Sequence, residues 1–426
     1  MSNKKILIIS YYWPPSGGVG VQRWLNYAIQ LKNRGWEPII YTPDNPQFEI
    51  KDESLLERVK DIRVIQTKIW EPFHFFHRIT GNTNRKNVQQ GLVLEKKSKS
   101  FKDKLFVWIR GNLFVPDPRK YWIKPSIKFL RKIIQEEEIK TIITTGPPHS
   151  MHLIGLGLKK RLDLCWIADF RDPWSQWDIL EKLNTGRLAM WKHRRLEKEV
   201  LQSATKILTV SSHLKSGLAD LGGEDRVHLQ YNGVSEIEAT KYPKSEMLTI
   251  GYYGMLNELR NPSELWGILD ELAVSKKIHL RIGGVVAESI KEEIGALKQL
   301  KNCTDFLGYL SHEEVKREYA KCQVLVLLLN RTDNAKWILP VKFFEYLAAQ
   351  RWILALGPEE SDLEAIAKEV AAFRMLKYSD TPGMTNFIKN CEQGVPDFSS
   401  SQRLLDRFSH TNLALELEEV LNQTNG

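Results

Sequence analysis

Cysteine is scarce in this chain of 426 residues: Cys165, Cys303, Cys322 and Cys391 stand far apart and no C-x-x-C pair occurs. Reduced core thiols fit that spacing better than disulfides or zinc ligands, which points to a cytoplasmic protein. Long apolar runs are missing too, so no segment reaches the roughly 18 residues that a membrane-crossing helix needs. The apolar run after the basic start at Lys4 and Lys5 is too short for a secretory signal and reads as a first strand. Gly17-Gly18-x-Gly20 does not match the G-x-G-x-x-G fingerprint, which argues against an NAD enzyme. No short repeat and no low-complexity segment is found.

What the chain does contain is a globular composition, 42% hydrophobic and 27% charged. Its length exceeds one ordinary core and suggests two domains. The net charge of +9 favours an anionic partner: a nucleotide, a phospholipid surface or nucleic acid.

The order of elements supports an α/β architecture. Lys5–Ser10 reads as a strand, Pro14 to Val21 as a glycine-rich loop, Gln22–Arg34 as a helix and Pro38–Thr42 as the next strand. That is a βαβ unit, and its right-handed crossover makes the sheet parallel. A strand at Lys140–Thr145 ends in Gly146-Pro-Pro-His-Ser150, and one at Cys165–Ala168 ends in Asp169-Phe-Arg-Asp-Pro-Trp174. Open α/β sheets bind ligands at the carboxyl ends of their strands, where both polar clusters fall. His149 can orient a hydroxyl or stabilise charge, or serve as a structural or capping residue. Asp169, Arg171 and Asp172 suit either a binding site or an internal ion network. Arg187–Leu201 reads as a charged, solvated helix.

Residues 68–135 are different in kind. They hold Trp70, Phe73, Phe75, Phe76, Phe101, Phe106, Trp108, Phe114, Tyr121 and Trp122, and from Lys96 to Lys132 twelve Lys and Arg residues face only Asp103 and Asp117. Aromatic rings at an interface with cations on phosphate suit anionic lipid headgroups. A helical insertion with core aromatics and solvated lysines is the other reading. Nucleic acid is disfavoured, because no recognised binding motif accompanies the charge.

A second α/β series begins after the polar stretch 241–247, the expected linker. It runs Leu248–Tyr253, a loop to Pro262, a helix Ser263–Ala273, and a strand Ile278–Ile282 ending at Gly283-Gly284. Thr304–Leu307 is followed by Gly308-Tyr309, and Ser311-His-Glu-Glu314 is a capping signal. The apolar run Val324–Leu329 then leads to Pro340-Val-Lys-Phe-Phe-Glu-Tyr-Leu-Ala-Ala349. Pro340 opens a helix at no cost to hydrogen bonding. The helix N-terminus can receive a phosphate, Lys342 adds a point charge, and Glu345 on the same face can accept hydrogen bonds from ribose hydroxyls. An ordinary surface ion pair is the alternative for Lys342 and Glu345. Expected domains are 1–240, with the insertion at about 68–135, and 248–399, followed by a helical tail 400–426.

In this order the sequence resembles the retaining GT-B glycosyltransferases, specifically glycosyltransferase family 4 of the capsule and lipopolysaccharide type. Gly17 and Gly18 resemble the acceptor-side loop, Thr209-Val-Ser-Ser212 and Asn232-Gly-Val234 the signatures that end the first domain, and Pro340-x-Lys-x-x-Glu-Tyr-Leu-Ala348 the nucleotide-sugar helix. Gly308-Tyr309 is similar to the loop that borders the base, and His149 follows its strand where family members place a sugar-contacting His. The resemblance covers nearly the whole chain except residues 60–135 and the tail. It implies two Rossmann-like parallel-sheet domains facing across a cleft.

It also implies transfer of a sugar from a nucleoside diphosphate sugar, with retention, to a glycan or lipid-linked acceptor in cell-surface polysaccharide or glycolipid synthesis. No cofactor is implied beyond that substrate. Arg260, Lys342 and His149 take catalytic places; Gly18, Gly283, Gly308, Tyr309, Pro340 and Glu345 fall on the donor side; Gly17, Asp169, Arg171 and Asp172 fall on the acceptor side. The absence of D-x-D means that no metal is demanded. An anionic membrane surface is a further expected partner, which makes the protein peripheral on the inner face of the cell membrane.

Two departures stand out. Many members carry two glutamates eight apart, and here the first falls on Trp337. The usual phosphate-binding pair after the first strand of the second domain is replaced by Met255 and Asn261, with Arg260 between. A nucleotide-sugar epimerase and a catalytically silent membrane-associated binding protein therefore stay open.

Overall fold

The structure is a computed structural model of the chain and describes residues 4–46, 51–72, 101–176, 178–234, 242–243, 247–275, 277–391 and 394–425. Phe73, Phe75 and Phe76 of the expected insertion, with its basic residues 96–100, lie outside the described residues, as do the side chains of Phe101 and Phe106 and most of the expected linker. Contacts divide the chain into two compact units, Met1–Asn232 with Leu413–Gly426, and Gly233–Asn412.

The first unit carries a parallel sheet of β1 (Lys5–Ile9), β2 (Glu37–Pro43), β3 (Arg63–Thr67), β4 (Thr141–Gly146), β5 (Cys165–Phe170), β6 (Lys206–Thr209) and β7 (Val227–Leu229). Their order is β3-β2-β1-β4-β5-β6-β7. Its helices are α1 (Val19–Asn33), α2 (Ser54–Arg58), α3 (Phe101–Leu113), α4 (Ile123–Glu136), α5 (Ser150–Lys159), α6 (Asp178–Lys182), α7 (Arg187–Ser203) and α8 (Ser212–Gly222). All six residues of β4 are buried, as expected for a central parallel strand covered on both faces. Ile6, Leu7, Ile142, Ile143 and Ile167 are fully buried, each contributing about 1.5–3 kcal/mol by leaving water. One close approach sets the seating of α5: a Cβ at Gly155 would lie 2.5 Å from Trp166 Nε1.

The second unit has the parallel sheet β10-β9-β8-β11-β12-β13, from β8 (Leu248–Tyr253), β9 (Ile278–Gly283), β10 (Thr304–Gly308), β11 (Val324–Leu328), β12 (Trp352–Leu356) and β13 (Phe373–Leu376). Its helices are α9 (Ser263–Leu272), α10 (Glu288–Gly295), α11 (His312–Tyr319), α12 (Val341–Ala348), α13 (Asp362–Ala367), α14 (Thr381–Cys391) and α15 (Ser399–Arg407). The expected cap of α11 is present as a full capping box between Ser311 and Glu314. The last helix, α16 (His410–Asn425), returns to the first unit from Leu413 onward. There it buries Leu413, Ala414, Leu417 and Leu421, and Glu418 accepts from Arg34 Nε at 2.5 Å and Trp36 Nε1 at 2.9 Å.

Both sheets begin with the order 3-2-1-4-5-6 in their own numbering, so in each the direction of winding reverses beside the first strand. The crevice at that reversal, between β1 and β4 and between β8 and β11, is where such sheets bind ligands.

Candidate active site

In the second unit the carboxyl edge over β8, β9 and β10, beside the reversal, is lined by backbone rather than side chains. Parallel register sets Tyr253 of β8 beside Gly283 of β9, and Gly283 beside Gly308 of β10. Gly254 N–H donates to Gly283 O at 2.8 Å, and Gly284 N–H donates to Gly308 O at 2.6 Å. Gly254, Gly284 and Gly308 have φ of 156°, 117° and 68°, a region open to glycine and costly for other residues. A Cβ at Gly284 would fall 2.2 Å from Gly254 O, and one at Gly254 would fall 2.3 Å from Lys342 Nζ. The result is a smooth glycine rim with one lysine amine resting against it.

Lys342 comes from the first turn of α12, whose N-cap is Pro340 in extended conformation. Its Nζ donates to Tyr253 O at 2.5 Å. Burial pushes the ammonium below its ordinary pKa; Glu345 opposes that shift and Arg260 adds to it. Arg260, at the end of a short 3-10 turn Glu258–Arg260, donates through Nε and Nη2 to Asn330 Oδ1 at 3.0 and 2.7 Å. Glu345 Oε2 accepts from Tyr319 OH at 2.9 Å. Burial, with Tyr346 and Glu345 alongside, raises the Tyr319 phenol, so it remains a proton donor. Lys342 and Glu345 are thus each engaged with a third group rather than joined as a surface ion pair. Tyr309, just past Gly308, is 78% exposed. Trp337, where many relatives of the resembled family carry an acid, is half-buried in the 3-10 turn Asp333–Trp337.

The first unit treats its reversal differently. Asp169, at the end of β5, is fully buried and accepts from Arg23 Nε and Nη2, from Trp24 Nε1 at 2.6 Å and from Thr145 Oγ1 at 2.8 Å. Arg23 also donates to Tyr231 O at 2.8 Å. Despite burial, the Arg23 guanidinium holds the Asp169 carboxyl below its usual range. Arg171 reaches carbonyls instead: Gly20 O at 2.7 Å, Pro147 O at 2.6 Å and Gly146 O at 3.2 Å. It braces the first turn of α1 against the end of β4 and the loop that follows it. Asp172 lies half-buried and contributes its charge to Arg171. Gly18, at φ 83°, is the N-cap of α1, and Gly17 precedes it half-buried.

His149, the N-cap of α5, makes no side-chain cap there, so the capping role considered for it does not apply. It is buried and stacks on Trp174 with ring centroids 4.7 Å apart and planes 2° from parallel. Burial, reinforced by His152, His193 and Arg171, pushes its pKa well below the ordinary value. Its neighbours behave alike: His152 falls to about 3 and His193 to about 4, chiefly through burial. All three are neutral imidazoles near pH 7. His193 Nδ1 accepts from Trp174 Nε1 at 3.1 Å, which leaves the His193 proton on Nε2. A pocket of about 130 Å³ opens here, lined by His149, Trp174, His193, Tyr12, Arg110 and Phe114 among others. Asp117 fixes one wall: it accepts from Ser150 N–H and Oγ, both at 2.8 Å, and so ties the segment after α3 to the start of α5.

Arg260, Lys342 and Glu345 are therefore brought together, with Gly283, Gly308, Tyr309 and Pro340 around the same sheet edge, while His149, Asp169, Arg171, Asp172, Gly17 and Gly18 gather in the other unit. Sequence reasoning missed Arg23, Trp174, His193 and Tyr319. The signal available for Arg23 was a cation next to the apolar stripe of α1, opposite a strand that ends in an acid. Tyr319 gave no signal, because only the fold carries it to Glu345. Among the described residues no group of acidic, His and Cys side chains could hold a metal ion.

No family model matches the chain. No curated protein matches it either. Among solved structures it is similar to a glycosyltransferase from Rickettsia africae, at 14% identity over 99% of this chain and 98% of that one, with a TM-score of 0.64. It is similar to HepE of Anabaena, solved with UDP and glucose, at 12% identity over 98% and 99% of the two chains and a TM-score of 0.62. The lipopolysaccharide outer core galactosyltransferase WaaB gives 12% identity, the same coverage and a TM-score of 0.63. The chain has the fold of the GT-B glycosyltransferases, two Rossmann-like units each built on a parallel sheet.

Proposed function

We propose that this protein is a retaining glycosyltransferase that moves a sugar from a nucleoside diphosphate sugar to an acceptor hydroxyl without a divalent metal. The observation that carries the reading is the edge of the second sheet, where a glycine rim, the α12 N-terminus, Lys342, Arg260 and Glu345 converge. A rim without Cβ atoms lets a diphosphate approach the backbone, and the helix N-terminus favours its charge. Glu345, with one oxygen held by Tyr319, offers the other to ribose hydroxyls. Tyr309 supplies an exposed face for the base. The similarity to HepE, solved with UDP and glucose, supports the same ligand class.

In the reaction the bond between the anomeric carbon and the diphosphate oxygen breaks, and the acceptor oxygen bonds to that carbon on the same face. The acceptor proton passes to the leaving diphosphate. Negative charge grows on that diphosphate, and Arg260 and Lys342 stabilise it. Lys342 exchanges the Tyr253 carbonyl for a phosphate oxygen, which restores its depressed affinity for the proton. His149, neutral at physiological pH, is suited to hydrogen-bonding a sugar hydroxyl rather than to supplying charge. The acceptor is a glycan or a lipid-linked precursor in cell-surface polysaccharide or glycolipid synthesis, and the reaction takes place in the cytoplasm.

The test is calorimetric titration of UDP, GDP and ADP without metal into the wild type and Glu345→Ala. Micromolar binding of one nucleotide, lost in the variant, is expected. No binding by any of the three overturns the reading, and an inverted anomer in the NMR spectrum of the product overturns retention. Trp337 in place of an acid favours one rival, a binding protein without turnover; it predicts nucleotide affinity with no release of nucleoside diphosphate from the sugar donor.

A further inference from the structure

Large apolar side chains are exposed in an unusual concentration on one part of the first unit. Leu105 and Trp108 of α3, Leu113 at its end, Tyr121, and Leu188 and Trp191 of α7 all stand out of the core. Leu188 is 69% exposed and Trp191 53%. By its charges alone Arg187–Leu201 reads as a solvated helix. The structure shows that Ala189, His193, Glu197, Val200 and Leu201 face inward. Leu188, Trp191, Lys192 and Arg195, at helical spacing, form the opposite face, all exposed. An exposed Leu or Trp alone means little, but a contiguous set does.

The elements that carry these side chains are fixed to each other. Asn112 at the end of α3 accepts from Gly186 N–H at 2.8 Å and donates to Asn184 O at 3.1 Å, so it holds the start of α7. Gly111 lies tight against the same segment: a Cβ there would fall 2.5 Å from Leu183 O. Trp70 meets Tyr121 edge-on at 4.7 Å, and Lys120 Nζ lies 5.3 and 5.2 Å from the rings of Phe114 and Tyr121. Arg195 covers Trp191 at 5.5 Å.

Cations surround the apolar residues, and among the described side chains of α3, residues 114–122 and α7 no free acid opposes them. Lys120, Arg187, Lys192, Arg194, Arg195 and Lys198 belong to this region. Among the described side chains of α3, residues 114–122 and α7, the acids are Asp117, Glu197 and Glu199. Asp117 is spent on Ser150 and on Arg119 N–H, Glu197 is buried, and Glu199 pairs with Lys160. A partner must therefore be apolar just beneath an anionic surface.

We infer that the face made by α3, the segment to Trp122 and α7 docks on an anionic lipid bilayer. Trp108, Trp191, Leu188 and Leu105 enter the headgroup boundary, and Lys120, Lys192 and Arg195 meet the phosphates. Phe114 and Gly111 also line the pocket beside His149, so the docked face borders that pocket. The inference deepens the proposed function, and rests on it only for this consequence: the acceptor is presented from the membrane, as a lipid-borne hydroxyl.

The test is co-sedimentation of the full chain with vesicles of equal parts phosphatidylglycerol and phosphatidylcholine, and with phosphatidylcholine alone, at low and high salt. Binding to the anionic vesicles that weakens with salt is expected. Leu188→Ala with Trp191→Ala, and separately Lys192→Glu with Arg195→Glu, should each weaken it by at least about tenfold. Lys298→Glu with Lys301→Glu, the same charge change in the other unit, should leave it within about twofold. Equal binding to neutral vesicles, no binding at all, or equal loss in the two charge-reversed proteins overturns the inference. So does a shift from dimer to monomer in the Leu188/Trp191 variant without loss of vesicle binding, which would make a second copy the occupant. Nucleotide titration of the same proteins reports separately on the proposed function, since none of these residues touches the glycine rim.

Discussion

The two carboxyl edges share a topology and differ in what their polar groups do. At the edge of the first sheet, charge is consumed internally: Asp169 is fully paired with Arg23, Trp24 and Thr145, and Arg171 is spent on three carbonyls. At the edge of the second, Lys342 holds the Tyr253 carbonyl and Arg260 the Asn330 side-chain oxygen, both exchangeable, beside a bare backbone rim. The same winding order thus produces one braced edge and one poised edge. A charge at a strand end signals function only when its partners can be given up for a ligand.

The largest effect should come from breaking the braced edge. Asp169→Asn leaves Arg23 buried without its counter-charge, and the denaturation midpoint should fall by an amount worth about 3–5 kcal/mol. A loss below about 1 kcal/mol would mean that Arg23 relaxes to solvent and that the edge is not rigid. At the poised edge the same kind of deletion should spare stability and remove catalysis. Lys342→Ala and Arg260→Ala should each lower kcat by about 10²–10³ with nearly unchanged unfolding curves. Equal stability losses at both edges would erase the distinction.

A pH titration sharpens it further. A histidine whose folded pKa lies below its ordinary value binds fewer protons folded than unfolded. Its contribution to stability is complete above about pH 6.5 and is lost as pH falls toward the folded value, about 4 for His193. Across that window each such imidazole should cost about 1.4 kcal/mol per pH unit. His193→Phe should flatten the acid limb of the stability curve by that slope, measured by denaturant unfolding between pH 6.5 and 4. The smallest effect is expected from Tyr319→Phe. It removes the hydrogen bond to Glu345 and keeps the ring, so nucleotide affinity should weaken about threefold to tenfold at constant stability.

Much of the fold was legible because buried parallel strands announce themselves. Leu248–Tyr253 and Trp352–Leu356 were read with the bounds that the structure shows, and Val324–Leu329 differs from β11 by one residue. The strands that escaped are outer ones: β3 and β13 are half-exposed along their length, and β7 has three residues, so none offers a continuous apolar run. The site divides in the same way. Lys342 and Glu345 could be paired on paper because one helix carries both at a spacing of three. Their partners Tyr253 and Tyr319 come from a strand and a different helix, and Asn330, the partner of Arg260, comes from a loop; no local pattern links them. Arg23 was hidden because its acid lies in β5, far along the chain. The exposed face of α7 was hidden by its own charges, which dominate a sequence reading until burial shows which side they occupy.

The return of α16 to the first unit bears on the order in which this protein is made. The second unit is one continuous run, Gly233–Asn412, and can close as soon as it leaves the ribosome. The first unit, although translated earlier, waits for Leu413, Leu417 and Leu421 to cover its core, and for Leu413 O to accept from Gln230 Nε2 at 2.8 Å. Through all of that interval it exposes apolar surface, so of the two units the earlier one depends longest on protection from aggregation.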